Sequence, residues 1–139
     1  MIYLTGSSMP SRYLIAFYQR QDGSCPLDDY MLSITNDDEY ITVINVIQYL
    51  GFVGQVIIDT KMANRIDGPI CELRKNRHRI MYAEDKSRNG FIMLSAFLKE
   101  TRKTPQEEIE KAHRHWQDYQ MYHRSRVMDI PLDEKLLNL

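Results

Sequence analysis

The sequence predicts one α+β domain in which helices pack against an antiparallel sheet. Two helix-start signals lie in the first half of the chain, three strand patterns follow between residues 70 and 98, and a third helix start comes at Thr104. The chain has 139 residues, of which 43% are apolar and 27% charged, and this is sufficient for one domain with one core. We predict that the domain spans residues 11–125, between a lead-in at 1–10 and a tail at 126–139.

The first half of the domain is predicted to contain one strand and two helices. Residues 12–20 alternate between apolar and polar positions, which is the pattern of a strand. Pro26 suits the first position of a short helix, and the two aspartates that follow it suit the positive end of the helix dipole. A second helix is predicted from the capping residue Asn36 to Gly51, although its many β-branched residues leave a strand as the alternative.

Three strand patterns then predict an antiparallel meander. The strands are expected at residues 70–75, 78–84 and 91–98, after a turn-rich segment at 59–69. The turn between the first two strands contains Asn76, a residue type that tolerates a left-handed backbone. An Asn-Gly pair ends the loop between the last two strands, which is a strong hairpin signal.

The clearest local signal in the chain is the start of the C-terminal helix. Thr104 is the predicted cap, Pro105 occupies the first helical position, and Glu107 completes a capping box. Residues at three- and four-residue steps along this helix are predicted to pack on the sheet: Ile109, Ala112, His113, Trp116, Tyr119 and His123.

The sequence carries none of the usual signatures of a cofactor-dependent enzyme. Cys25 and Cys71 are far apart and the four histidines lack metal-ligand spacing, so neither a metal site nor another cofactor is expected. The N-terminal residues do not make up a signal peptide, and no apolar run reaches the length of a membrane span. We therefore expect a cytoplasmic protein without a membrane partner.

The charge distribution is uneven although the net charge is only −1. Residues 21–60 contain seven acidic and no basic residues, whereas residues 61–103 contain eleven basic and five acidic residues. Most of the acidic residues stand at predicted helix starts, where they stabilise the helix, so we do not interpret them as catalytic carboxylates. The basic segment could bind a polyanion or could form an ordinary solvated surface.

The predicted sheet gathers the basic residues at one end. Arg74 and Arg79 flank one tight turn and can approach each other across an antiparallel pair, while Lys99, Arg102 and Lys103 leave the last strand. Such side chains bind phosphate oxygens and stabilise the negative charge that develops in a reaction at phosphorus. RNA can be cut without a metal ion when its own 2′-hydroxyl attacks the adjacent phosphate.

Two questions about this cluster stay open on the sequence alone. Arg74 could simply form a surface ion pair with Glu72 or Glu84. The general base of an RNA-cutting reaction could be Lys99, Lys103 or His78, and a lysine in this role has to lose its proton first.

A distinctive series of residues leads from the predicted strands into the last helix. It consists of Glu72-Leu73-Arg74, Arg79, Tyr82, the run from Phe97 to Pro105, Glu108-Ile109 and Ala112. This series resembles the RelE/HigB-like toxins of type II toxin–antitoxin systems. It is most similar to their phage-derived host-inhibition branch, whose members read ELR…R…Y…F.KKT.KTP..EI..A.

The resemblance implies a RelE-like fold, in which N-terminal helices pack on a twisted antiparallel sheet that is followed by a C-terminal helix. The implied activity is that of an endoribonuclease, or mRNA interferase, which cuts mRNA in the ribosomal A site and so blocks translation. The implied partner is a helix-turn-helix antitoxin of the HigA type, bound in a toxin–antitoxin hetero-oligomer.

Individual roles follow from the same resemblance, position by position. It assigns catalysis to Arg74, Arg79, Lys99 and Lys103. It also places Arg102 and Tyr82 near these residues, and we predict RNA binding by both and by the neighbouring basic residues Lys75 and Arg77.

The chain also departs from its relatives, and other functions compete. Many RelE-type toxins are strongly basic, whereas the acidic block at residues 22–59 makes this chain nearly neutral and could be a surface for the antitoxin. One alternative is a ParE-like inhibitor that binds DNA gyrase without catalysis, and another is a scaffold that keeps the fold without activity. The basic group after the last strand favours the nuclease, because gyrase-binding relatives tend to lack it.

Overall fold

A computed structural model describes residues 12–128 as a six-stranded sheet between two helical layers. The elements are β1 (Leu14–Tyr18), α1 (Pro26–Leu32), α2 (Asp37–Val53), β2 (Ala63–Asp67), β3 (Ile70–Lys75), β4 (His78–Asp85), β5 (Gly90–Leu98), α3 (Gln106–Tyr122) and β6 (Ser125–Val127). The strand order is β2-β3-β4-β5-β1-β6. This arrangement confirms the predicted α+β fold of RelE type.

The predicted meander is present with its turns. β3 pairs with β4 and β4 with β5, both antiparallel. Asn76 and Asn89, in the two connections, have φ angles of 53° and 51°, so both adopt the left-handed backbone that asparagine tolerates.

Two strand pairings differ from the predicted sheet. The segment predicted to be turn-rich contains β2, which pairs antiparallel with β3 at the edge of the sheet. β1 runs parallel to β5, so the sheet is mixed and only mostly antiparallel. The predicted lead-in at 1–10 lies outside the described residues, as do residues 129–139 of the tail. The first residues of that tail belong to β6, which pairs with β1.

Helix α2 confirms the prediction of a helix over a strand. The Asn36 side chain accepts a hydrogen bond from the Glu39 backbone N–H at 3.0 Å, as an N-cap residue does. The helix continues two residues beyond Gly51 and ends at Gly54, which has a φ of 71°. A Cβ on Gly54 would lie 2.6 Å from the ring of Tyr13, so a side chain there would force this ring to move.

Helix α2 is also the most apolar segment of the fold. Together with the 3-10 turn that follows, Asp37–Ile57 is long and apolar enough to cross a membrane, but half of its most apolar window is buried inside the protein. Val43, Ile47 and Leu50 are among its residues in the core. We therefore assign it to the core of the domain.

Each face of the sheet has its own core. Leu73 and Ile80 belong to the core that α1 and α2 cover, whereas Ile92 and Ala112 belong to the core beneath α3. Burial of one of the larger aliphatic side chains stabilises the folded protein by about 1.5–3 kcal/mol. Because successive strand residues point to opposite faces, these cores also fix the direction of the polar side chains between them.

The predicted capping box at the start of α3 is wrong. The helix begins at Gln106, the residue in the cap position is Pro105, and no side chain caps the helix. Thr104 instead donates its hydroxyl hydrogen bond to Glu72 Oε1 at 2.5 Å. Glu72 is buried, and a buried carboxylate needs hydrogen-bond donors. The Thr104 hydroxyl therefore donates to Glu72 and does not cap the helix as the local pattern predicts.

The parallel pairing of β1 and β5 predicts a strict requirement for glycine at position 90. A Cβ on Gly90 would lie 2.6 Å from both Cβ and the backbone oxygen of Leu14. We expect Gly90→Ala to lower the free energy of unfolding by about 1–3 kcal/mol, the range for overpacking. Urea unfolding measures the change. An alanine variant as stable as the wild type would contradict this close approach.

His115 of α3 gives the stability a pH dependence. Its ring stacks on Tyr18 with 4.7 Å between centroids, and its Nδ1–H donates to the Leu94 carbonyl at 2.8 Å. Burial lowers the pKa of the imidazole below its usual 6.5, although the hydrogen bond to Leu94 opposes this shift. The unfolded chain therefore binds a proton that the folded protein does not, and we expect stability to fall as the pH drops below 6.5.

The contribution of His115 can be isolated with His115→Asn. The asparagine amide nitrogen occupies the position of Nδ1, so it can still donate to the Leu94 carbonyl, but it does not titrate. Urea unfolding at about pH 7.5 and about pH 5.5 should show a smaller loss of stability in the variant than in the wild type. Equal losses in the two proteins would mean that other groups cause the pH dependence.

Candidate active site

The centre of the site is a pair of arginines on the α3 side of the sheet. Arg74 and Arg79 are direct partners in the β3–β4 ladder, as predicted. Their neighbours Leu73 and Ile80 point into the α1–α2 core, so the alternation of the strands places the two arginines on the opposite face.

A buried carboxylate lies between the arginines. Glu72 is only 2% exposed, and its Oε2 accepts a hydrogen bond from Arg74 Nε at 2.9 Å and lies 4.0 Å from Arg79 Nε. Its Oε1 accepts the hydrogen bond from Thr104. The sequence raised a surface pair of Arg74 with Glu72 as a possibility. The pair exists, but its carboxylate is buried. Glu72 therefore holds the arginine side chains in place instead of forming a surface ion pair.

The two arginines differ in exposure and therefore in what they can do. The Arg79 side chain is 11% exposed, and its Nη1 donates to the carbonyls of Asn76 and His78 at 2.7 and 2.9 Å. Burial lowers the pKa of Arg79, the Glu72 carboxylate opposes this shift, and the charge of Arg74 adds to it. Arg79 thus fixes the β3–β4 turn. Arg74, whose side chain is 33% exposed, can reach a ligand.

The basic loop after β5, residues 99–103, is fastened to the same end of the sheet. The Lys99 N–H donates to the Arg77 carbonyl at 2.7 Å, and Arg77 Nε donates back to the Lys99 carbonyl at 3.1 Å. Arg102 and Lys103 are exposed. The loop that carries Lys99, Arg102 and Lys103 therefore starts beside the β3–β4 turn, and at its end Thr104 contacts Glu72.

Two residues assigned to RNA binding lie on the opposite face. Tyr82 is fully buried in the α1–α2 core, and its hydroxyl donates to Gln55 Oε1 at 2.9 Å. Lys75 is exposed but lines a hollow with residues of α2. Both follow from the alternation of the strands, which sends residues 75 and 82 away from Arg74. Tyr82 has no surface with which to contact RNA.

Several residues that shape the site were not predicted. Glu72 stands two residues before Arg74, and this spacing on a strand could have indicated a shared face. Thr104 and Glu72 are far apart in sequence, and so are His78 and the residues it contacts. No local sequence pattern predicts such contacts. His78 is 3% exposed and lies between Tyr30 and Glu39.

The titratable side chains do not form a metal centre in the part of the chain that the structure describes. Within residues 12–128, no three His, Cys, Asp or Glu side chains come together in a group that could hold a metal ion. Cys25 and Cys71 are both buried free thiols. Burial, together with the nearby Asp28 carboxylate, raises the pKa of Cys25 to about 11, so this thiol stays protonated at neutral pH.

Comparison with known proteins identifies the family. The model of the family described as Phage derived protein Gp49-like (DUF891) matches residues 31–117, which is more than half of the chain. The match includes β2 to β5, the Glu72–Arg74–Arg79 cluster and the basic loop. A search of curated proteins gave no match. The chain therefore belongs to the phage-derived Gp49-like family of RelE/HigB-type toxins, whose members act in toxin–antitoxin systems.

Proposed function

We propose that this toxin is an mRNA endoribonuclease of the HigB type, which cuts by metal-free attack of the RNA 2′-hydroxyl. The observation that carries the proposal is the pairing of Arg74 and Arg79 across one ladder position, with the buried Glu72 between them. Both arginines and the basic loop meet at one end of the sheet, where a single RNA phosphate could contact several cations.

The cluster is suited to stabilise charge on a phosphate. One carboxylate faces two guanidinium groups, so Glu72, Arg74 and Arg79 together keep a net positive charge. Glu72 fixes Arg74 through Nε, and Arg79 is fixed by two carbonyls of the turn. Donors that are held in place before the reaction lose little energy to rearrangement as negative charge develops on phosphorus.

The contacts of His78 argue against this residue as the general base. Both ring nitrogens of His78 are engaged, with the Tyr30 hydroxyl at 2.6 Å and Glu39 Oε1 at 3.1 Å, and the ring is buried on the α1–α2 side. We therefore assign proton transfer to Lys99 or Lys103 in the basic loop. Arg77 and Arg102, which are exposed beside them, are assigned to RNA binding.

The setting of the reaction is part of the same proposal. Membership of the family implies an antitoxin as partner. We propose a helix-turn-helix antitoxin of the HigA type that holds the toxin in a hetero-oligomer. The proposed substrate is mRNA in the ribosomal A site, and the proposed location is the cytoplasm.

Induction of the toxin in a bacterial host tests this function. We expect protein synthesis to stop early and cellular mRNA to be cut, while DNA synthesis continues at first. An early block in replication with intact mRNA would instead identify a gyrase inhibitor of the ParE kind. Purified toxin should cut mRNA that is bound in the A site of added ribosomes. A single 2′-deoxy substitution at the cut site should prevent cleavage there.

A further inference from the structure

We propose that a cavity beside the β3–β4 turn binds a guanine base of the RNA. The cavity has a volume of about 360 Å³, and it is lined by side chains from α1, α2 and the strand ends, among them Tyr30, Glu39, Arg77, His78 and Leu98. Its size is within the range of small-molecule binding sites. The inference rests on the proposed function only in taking the ligand to be RNA.

A buried histidine orients a carboxylate in this cavity. His78 Nδ1 lies 2.6 Å from the Tyr30 hydroxyl, and Nε2 lies 3.1 Å from Glu39 Oε1. A neutral ring satisfies both contacts only when Tyr30 donates to Nδ1 and the Nε2–H donates to Glu39. Glu39 is thereby held in place although its side chain is 52% exposed.

A fixed carboxylate that faces solvent favours a base with two neighbouring N–H donors. Guanine presents such a pair, N1–H and N2–H, on its Watson–Crick edge, and the pair matches the two oxygens of Glu39. Uracil offers one donor between two acceptors. Adenine and cytosine place an acceptor beside their amino group, and this acceptor would face the negative carboxylate.

The other walls of the cavity suit a nucleotide. Leu98 is opposite His78 in the ladder and is 42% exposed, so it offers an apolar surface to a base. The Tyr30 ring and the Arg77 guanidinium are groups on which bases stack. Arg77 also connects the cavity with the proposed active site, because its Nε donates to the Lys99 carbonyl. An RNA strand that passes around the β3–β4 turn can contact both.

Titration of the full-length toxin with the four nucleoside 5′-monophosphates, followed by NMR, tests the cavity without requiring cleavage. We expect GMP to bind about tenfold more tightly than UMP, in line with the discrimination of one bidentate contact. Glu39→Gln should abolish this preference while lowering the melting temperature no more than the loss of another first-turn charge does, since the glutamine oxygen can still accept from His78. Asp38→Asn, which removes a neighbouring charge that does not line the cavity, is the control and should retain the preference.

Mapping of RNA cut sites tests whether the guanine belongs to the substrate. The wild type and Asp38→Asn should cut at a fixed distance from a guanine, and Glu39→Gln should not. Equal binding of all four nucleotides, or no binding, overturns the inference and leaves Tyr30, His78 and Glu39 as a structural link. GMP binding without a guanine preference at cut sites also overturns it, because the ligand is then a free nucleotide. If RNA is not cut at all, the proposed function fails, and the titration still decides whether the cavity binds guanine.

Discussion

Arg74→Ala is expected to remove most of the toxicity while the protein remains folded. Arg74 is the partly exposed member of the arginine pair, and it is fixed by Glu72 at 2.9 Å. Loss of one preorganised donor that stabilises transition-state charge lowers a rate constant by roughly 10²–10³-fold. Cleavage of ribosome-bound mRNA by the purified variant measures the loss, and the growth of induced cells measures its consequence.

Lys75→Ala is the matched control for this experiment. Lys75 is adjacent in sequence and carries the same charge, but it points to the other face of the sheet. We expect its replacement to change the cleavage rate by less than about threefold, as for a distant surface charge screened by salt. If both variants lose activity equally, net charge rather than the arginine face determines activity. Full activity of Arg74→Ala would refute the proposed site.

Glu72→Ala is expected to have the largest effect on stability. The substitution leaves Arg79 buried with an unbalanced charge and leaves the Thr104 hydroxyl without its acceptor. Breaking a buried ion pair costs about 3–5 kcal/mol, and the exposure of Arg74 places this case at about 3 kcal/mol. The same substitution can be made in the Arg74→Ala variant, where only Arg79 is left to pair with Glu72. Comparing the loss of unfolding free energy in urea with and without Arg74 shows how much of the loss comes from each arginine.

Two further variants separate charge from hydrogen bonding at this position. Glu72→Gln keeps an oxygen acceptor for Thr104 but removes the negative charge, so we expect it to lie between the wild type and Glu72→Ala. Thr104→Val removes one hydrogen bond to a charged group and should cost about 1.5–3 kcal/mol. If Glu72→Ala were as stable as the wild type, the carboxylate would have no role in holding the arginines.

The elements that the sequence predicts well are those with local causes. The Asn36 cap, the proline at the start of α1 and the left-handed Asn76 all act on backbone groups within a few residues. Each is therefore visible in a short stretch of sequence. The same holds for the approach of Arg74 and Arg79, because one tight turn separates them.

The elements that the sequence does not predict depend on distant partners. β2 (Ala63–Asp67) has no regular alternation of apolar residues and becomes a strand through its pairing with β3. Nothing local in residues 12–20 indicates that β1 runs parallel to β5. The Thr104 hydroxyl could either cap α3 or donate to the distant carboxylate of Glu72. It donates to Glu72, because a buried carboxylate without a hydrogen-bond donor costs free energy.

The same distinction applies within the candidate site. The cations were predicted because they stand close together in sequence, whereas the carboxylate that organises them was interpreted as a surface residue. Glu72 is buried and accepts a hydrogen bond from Thr104 in the loop before α3, and no pattern near residue 72 encodes this contact. The cluster of Tyr30, His78 and Glu39 joins three separate elements and becomes visible only in the folded protein.

The position of β1 between β5 and β6 has a consequence for synthesis of the protein. Leu14 pairs with Gly90 and Tyr18 with Ser125. β1 is therefore synthesised before its partners and cannot pair until β5 and β6 have been synthesised. Long-range pairings of this kind form late because a long loop must close before they gain any contact. Thr104, which completes the cluster at Glu72, also emerges after β3, β4 and β5. The sheet and the arginine cluster therefore stay unfinished until residues 104–127 have emerged from the ribosome, which would delay the proposed activity until then.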